Sequence, residues 1–504
     1  MENLVSILIF TPLLAALILA VFLRGDDEAA QRNAKWLAVT ATGATFFMAL
    51  IVFFGFEPGQ PGLQFEEVRA WPMGLTYRVG IDAVSLPFVM LTAAIWPFAV
   101  AASWGVTRNV RDFIIALLVA QSLTLGAFAA QDLAFFALFF ELAFVPLWVL
   151  VGLWGRSGGG LHALKAAIYA LPGALLLIAV VAVFAAQVGD TAIPALLIHN
   201  LPSDALTVAG VEVAGGLQTL LCLGLLWSVG AKAGLFPFHG WLPGVSCVAP
   251  AAALMLIVAV GGKLGLYALL RFGVQVTPVG LDILHGPLLG LLIFGAVLMV
   301  LAALAQDALR PAIGYLSAGA MALPLAAVLS GALQGFDGAM LAQLAHGVTF
   351  AGLCAVLVVL EGRLGGDEYE RMGGVRIKQP FLAHMLLFYC VSLFAMPLTA
   401  SFPAHVLALF GLTLGGSVWA AVGYGVVLLL LASAAMSLYR RVSLGDTVRE
   451  NVRTLALLDG REQAMLIGLG ALILGLGLWP AVMLAPLADG MVAVFTQAQA
   501  ALGR

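Results

Sequence analysis

Apolar residues run along this chain in stretches of roughly 18 or more, separated by short polar breaks. A helix of that length crosses a hydrocarbon core about 30 Å thick. Reading from break to break predicts fourteen spanning helices, at 3–22, 36–54, 85–104, 112–130, 133–153, 166–186, 217–243, 250–270, 286–305, 311–330, 339–361, 383–417, 418–438 and 464–485. The seventh and twelfth are longer than a crossing requires, and both contain internal proline. The expected fold is an all-α polytopic membrane protein with helices 7 and 12 discontinuous. No polar stretch is long enough to build a separate soluble domain. The first run, LVSILIFTPLLAALILAVFL, follows Met-Glu-Asn rather than a basic segment and lacks a small-residue cleavage site, so it reads as a retained helix.

Composition strengthens this picture: 62% of the 504 residues are apolar and only 10% are charged, against about 25% charged in a soluble protein. The placement of Lys and Arg tests the helix count. The odd-to-even connections hold 17 of the 23 basic residues, among them Arg24, Arg108, Arg156, Arg310, Arg363 and Arg449. The even-to-odd side holds Arg69, Arg78, Arg271 and Arg504. Such asymmetry follows the positive-inside rule, which puts the odd-to-even connections in the cytoplasm and both termini on the opposite, periplasmic side. Cys222, Cys247, Cys354 and Cys390 are scattered singly, without the paired spacing of an iron–sulfur or zinc site, and read as small core fillers.

Three charges remain inside the predicted spans. Lys232 and Lys263 fall near the middle of helices 7 and 8, and Glu141 lies mid-span in DLAFFALFFELAFVPLWVL. Asp132, Asp307 and Glu361 fall at helix ends, within reach of water or headgroups. A charge at mid-bilayer costs roughly 2.5–3.5 kcal/mol, and such residues face the bundle interior and mark ion or proton pathways. The plainer reading is a structural Glu141–Lys232 ion pair holding two helices together. It accounts less well for Lys263, because one carboxylate cannot neutralise two ammonium groups.

His162, His199, His285 and His384 lie in loops or near helix ends and carry no functional expectation. His239, His346 and His405 fall within helices. One membrane histidine is more often a packing residue than a relay. Three of them beside Glu141, Lys232 and Lys263 suggest a row in helices 5, 7, 8, 11 and 12, suited to lateral proton hopping through water. Broken helices fit that expectation. In GAKAGLFPFH, Pro237 removes a backbone donor and Gly230 and Gly234 loosen the turn. Non-helical backbone at membrane depth is tolerated where it is buried in protein or lines a wet cavity, and transporters place ion sites at such breaks. The second long segment offers PLTASFPAH, so FPFH at 236–239 is echoed by FPAH at 402–405.

These residues resemble the antiporter-like membrane subunits of bacterial respiratory complex I, the proton-translocating NADH–quinone oxidoreductase, and most closely their subunit M family. The likeness spans nearly the whole chain and rests on FTPLLAALILAVFLRG, LFFELAFVPLWVLVGLWG, AKAGLFPFHGWLP, GGKLGLYALLRF, ALAQDALRPAIGYLS and QLAHG. It implies a single membrane domain. Helices 1–3 would occupy 1–110, two inverted five-helix repeats would occupy 111–275 and 276–440, and helix 14 would follow in 441–504.

The same resemblance implies residue roles. Glu141 matches the family's mid-membrane glutamate, Lys232 its broken-helix lysine, Lys263 the central-axis lysine, His346 the axis histidine of helix 11, and His239 the histidine before WLP. Three motifs depart. Ala404-His405-Val406 stands where glycine-glutamate-phenylalanine is usual, Ser317-Ala318-Gly319-Ala320 lacks a histidine, and Gly244-Val245-Ser246 replaces aspartate-alanine-histidine. His405, which can itself bind a proton, takes the place of the terminal acidic group.

The partners implied are the other membrane subunits of such a complex, especially its two other antiporter-like subunits, together with lipid. No nucleic acid, metal or cofactor is expected in this chain, and electron transfer would occur elsewhere in the complex. Related subunits serve cation/proton antiporters, membrane hydrogenases and inorganic-carbon uptake systems. A divergent structural subunit that does not pump is the remaining alternative.

Overall fold

A backbone group left unpaired in hydrocarbon is costly, and a helix pairs its own. The computed structural model describes residues 3–23, 25, 27–60, 62–71, 76–198, 201–208, 211–445 and 450–503. Arg24, His199, Arg449 and Arg504 lie outside the described residues. The apolar stretches are helices: α1 (Leu4–Phe22), α2 (Glu28–Gly55), α3 (Leu86–Ala102), α4 (Val110–Ala129), α5 (Leu133–Trp154), α6 (Gly159–Val188) and α7 (Gly216–Val248). There follow α8 (Ala251–Val274), α9 (Pro278–Leu304), α10 (Leu309–Val328), α11 (Leu333–Leu364), α12 in two parts (Pro380–Ser392 and Ser401–Leu414), α13 (Val418–Ser443), α14 (Gly460–Leu478) and α15 (Ala481–Ala501).

Among the described residues, thirteen helices are long and apolar enough to cross a membrane. α15 is one of them, yet it does not run along the bundle. Gly490 abuts Ala83 before α3, Gln497 Nε2 donates to the Leu197 carbonyl after α6, and Phe495 packs on Phe336 at the start of α11. All these partners belong to even-to-odd connections or their margins, so α15 lies flat across that end. Setting it aside and adding α3 and the two-part α12 gives fourteen crossings. The last of them ends at Leu478 rather than 485, because the chain turns at Trp479–Pro480.

The same end carries an antiparallel hairpin, β1 (Gln64–Ala70) and β2 (Thr76–Ile81), between α2 and α3. Glu67 is buried there and accepts hydrogen bonds from the Val5 and Ser6 amides at 2.8 and 3.0 Å. Its carboxylate thus caps the positive end of α1 from another element. This hairpin end holds the start of α1 and the end of α15, and the opposite end holds the arginine-rich connections.

Helices at the centre differ from those at the rim. α8 is buried along its whole length, and α10 and α11 nearly so, whereas α6 and α9 expose most of one face. Among the described residues, two arginines are buried as well. Arg271 belongs to the last turns of α8 rather than to a connection, and Arg310 begins α10; they are 2% and 3% exposed. Each is tolerated because it is paired: Arg271 with Asp82 at 2.7 Å, and Arg310 with Glu361 through two of its nitrogens. Asp132 is likewise buried rather than open to water. It caps α5 through the amides of Ala134 and Phe135.

Candidate functional site

Both expected breaks occur, for different local reasons. The first part of α7 (Gly216–Ala233) ends at Gly234, whose φ of +66° is the left-handed conformation glycine adopts at helix ends. Leu242 packs so close that a Cβ at Gly234 would lie 2.9 Å from it. The freed Ala231 carbonyl is recovered by the Trp241 indole at 2.8 Å. Replacing Gly234 with alanine is expected to cost about 1–3 kcal/mol from the strained φ alone. The variant should melt at a lower temperature in detergent extracts; an unchanged transition would show that the break accepts a side chain. The α12 break spans 393–400, with Ala395 and Leu398 at φ +64° and +73°.

The first break places Lys232 in the last turn of a helix, where the dipole favours a cation. Its ammonium donates to Glu141 Oε2 at 2.7 Å and to the Phe140 carbonyl at 2.8 Å, with the Phe140 ring centroid 4.3 Å away. α5 is interrupted just beyond Glu141, its helical segments meeting at Ala143. Glu141 Oε1 is without a hydrogen-bond partner among the described residues, so half of this carboxylate is free to bind a proton or water.

Lys263 is fully buried, and no carboxylate lies within salt-bridge distance among the described residues. It sits between two π-helical segments of α8, Ile257–Gly261 and Leu269–Val274, a wide winding found often at functional sites. Its ammonium reaches the Val258 carbonyl at 3.2 Å and His346 Nδ1 at 2.5 Å, and His346 Nε2 lies 3.2 Å from the Ser317 carbonyl. A carbonyl only accepts, so Nε2 carries hydrogen and Nδ1 is the acceptor. Two positive charges this close would repel by several kcal/mol even at an effective dielectric of about 20. Lys263 and His346 therefore hold at most one positive charge between them.

Beyond His346 a cavity of about 20 Å³ reaches His405, lined also by Ala320, Thr349, Ser392 and Ser401. That is room for one water. Thr349 Oγ1 and Ser392 Oγ are 2.8 Å apart, and Ser401 follows at 3.3 Å, so hydroxyls continue the polar line. His405 Nδ1 ends it, 2.6 Å from the Tyr424 hydroxyl of α13.

The structure therefore gathers Lys263, His346, His405 and Tyr424 into one group and Glu141 with Lys232 into another. His239 joins neither. It lies in a half-exposed 3₁₀ turn (Phe238–Trp241) against Phe236, and its Nδ1 has no partner among the described residues. The turn that follows Pro237 leaves His239 half-buried, whereas Lys232, seven residues earlier, is buried. Between the two lysines, α7 and α8 touch through Gly262 and Gly265, and no hydrogen bond joins the groups among the described residues. Sequence reasoning missed Tyr424 and the hydroxyls. Ser392 and Ser401 flank the predicted break, which was a usable signal; Tyr424 gave none.

This arrangement defines a class: an antiporter-like membrane subunit, with two broken helices and buried basic groups around their gaps. The profile described as NADH:quinone oxidoreductase/Mrp antiporter, transmembrane, matches residues 130–432. NADH-quinone oxidoreductase subunit M of Rhodobacter capsulatus is 35% identical over 95% of this chain and 94% of its own length. A chain of respiratory complex I from Thermus thermophilus superposes with a TM-score of 0.87 at 23% identity, covering 98% of this chain and 99% of that one. A chain of the Mrp complex from Dietzia sp. follows at 0.82 and 18% identity, with 99% of both covered. The chain belongs to the family of proton-antiporter-like membrane subunits shared by NADH:quinone oxidoreductases and Mrp antiporters.

Proposed function

We propose that this chain is the M-type proton-translocating subunit of an NADH–quinone oxidoreductase in a bacterial inner membrane. The observation that carries the reading is Lys263 hydrogen-bonded to His346 in the most buried helix, a charge-sharing pair that packing alone does not require. Protons would be taken up near the Glu141–Lys232 pair and passed to Lys263 through transient water. From there they move by way of His346 and the small cavity to His405 and Tyr424. His405 holds a proton where an acidic group is usual in the family, and the Tyr424 hydroxyl fixes its ring. His239 would contribute from outside this line, toward a neighbouring subunit. The chain carries no redox centre of its own in this reading, and electron transfer elsewhere in the complex reaches it as a changed electrostatic field on the Glu141–Lys232 pair. The excess of arginine and lysine at one end supports placing that end in the cytoplasm, with both termini periplasmic. The neighbouring antiporter-like subunits and lipid would cover the exposed apolar faces.

A second reading keeps the fold and changes the complex to a cation/proton antiporter; the match to the Mrp chain favours it. Affinity purification from native membranes separates the two. The expected result is copurification of NADH-oxidising, iron–sulfur-containing partners, with NADH-driven acidification in vesicles of the purified complex. Recovery of membrane subunits alone would overturn the first reading and support the second.

A further inference from the structure

A second polar space lies at the hairpin end, away from the Lys263–His405 line. Under α15 a cavity of about 560 Å³ is lined by Glu66, Arg78, Asp82, Gln131, Arg271 and Gln275. These charged and amide groups stand among apolar ones such as Leu63, Val84 and Ile193, and the space is large enough to admit several waters. Its inner wall is the Arg271–Asp82 pair, and Asp82 is fixed in turn by the Ser85 amide at 3.0 Å. One turn deeper on α8 stands Tyr267, and one turn beyond that stands Lys263. Residues four apart share a helix face, so Lys263, Tyr267 and Arg271 form one strip pointing from the bundle interior to the cavity.

Tyr267 is the unusual member. Its ring is caged by Phe88, Phe128 and Phe136 at centroid distances of 5.8, 5.4 and 5.7 Å. The side chain is fully buried, and its hydroxyl lacks a well-aligned hydrogen bond among the described residues but lies beside the Arg271 guanidinium, whose Nε is likewise unpartnered and whose Cζ is 5.4 Å from the ring centroid. A buried hydroxyl without a partner costs about 1–3 kcal/mol, and phenylalanine would fill the same cage without that cost. The oxygen interacts with the arginine that walls the cavity, and the rings that cage it offer it no partner.

We propose that the cavity is a solvent vestibule and that Tyr267 is the gated polar step between it and Lys263, with the Asp82–Arg271 pair as the threshold. The inference rests on the proton-translocating reading and assigns it a release route along α8. In the open state one water enters the cage. The Lys263 ammonium gives its proton to that water, which passes a proton to the Tyr267 oxygen as the phenol's own hydrogen leaves to vestibule water. The tyrosine ends neutral, Lys263 ends neutral, and the next proton taken up near the Glu141–Lys232 pair recharges it through transient water. In the closed state the phenylalanine cage is dry and no proton crosses. Asp82 cancels the guanidinium charge that would otherwise repel a proton at the threshold.

The test uses the intact complex containing this chain, reconstituted in vesicles. Tyr267→Phe keeps the ring and removes the oxygen. Melting should be unchanged or raised, and proton transfer should fall to less than half; unchanged proton transfer overturns the route. Gln275→Cys then probes the vestibule, compared with the parent chain to subtract its own four cysteines. A membrane-impermeant maleimide should label it in vesicles exposing the hairpin end and not in those exposing the basic end. Absence of labelling from the hairpin end overturns the vestibule. Lys263→Met separates the two ideas. If it stops proton transfer and Tyr267→Phe does not, the release route alone fails; if neither variant affects transfer, the relay reading fails with it.

Discussion

Replacing Glu141 and Lys232 together, as E141Q/K232M, is expected to leave the chain folded and assembled while abolishing its proton translocation. The singles behave differently. E141Q leaves the Lys232 ammonium with neutral acceptors only, the new amide oxygen and the Phe140 carbonyl, and no counter-charge. K232M strands a carboxylate that already has one unpartnered oxygen. Breaking a buried pair from one side costs about 3–5 kcal/mol, whereas replacing both partners by neutral groups is often neutral or stabilising. Loss of assembly in either single therefore says little, and the double variant is the informative one. A purely structural ion pair predicts that the double variant pumps normally, since the helices are again held without charge. Proton uptake per turnover in reconstituted vesicles, measured beside thermal melting, decides between the two, and full pumping by the double variant would remove this pair from the mechanism.

Lys263→Met is expected to change stability and function in opposite directions. The lysine is fully buried without a carboxylate, and a charge at membrane depth costs roughly 2.5–3.5 kcal/mol. Methionine is similar in length and removes that cost. His346 Nδ1 then loses its donor, a penalty of about 1–3 kcal/mol, so the net stabilisation should be about 0–2 kcal/mol. Proton transfer should nevertheless collapse, because His346 has no other group to exchange with on that side. A variant that melts lower and pumps as well as the parent would show that Lys263 is a packing residue. A gain in stability with loss of function is the signature of a group retained for chemistry.

Helices 5, 7, 8, 11 and 12 were legible as carriers of the charged residues because hydropathy and charge cost are local properties. Each stretch reports its own membrane crossing, and each buried Lys or Glu stands out against its apolar flanks. The same locality explains the failures. The predicted spans end at 485 and leave α15 out; it has the length and hydropathy of a crossing yet lies flat, because its orientation depends on Ala83, Leu197 and Phe336 from three distant segments. Arg271 reads as a connection residue until Asp82, far away in sequence, is found beside it. His239 carries the right residue type in the right motif and sits in a separate 3₁₀ turn, joined by no hydrogen bond to either group among the described residues. Nothing along the chain foretells that turn.

By itself, then, the sequence determined that the chain is a bundle of membrane helices, where two of them break, and which ionisable groups the membrane must tolerate. A helix pairs its own backbone, so those features depend on residues close together in the chain. Only the tertiary structure decided that Lys263 meets His346, that Tyr424 ends the line at His405, and that Tyr267 stands between Lys263 and the cavity under α15. Those outcomes are settled by side chains from separate helices competing for the same small volume, and hydropathy along a single helix holds no information about its neighbours.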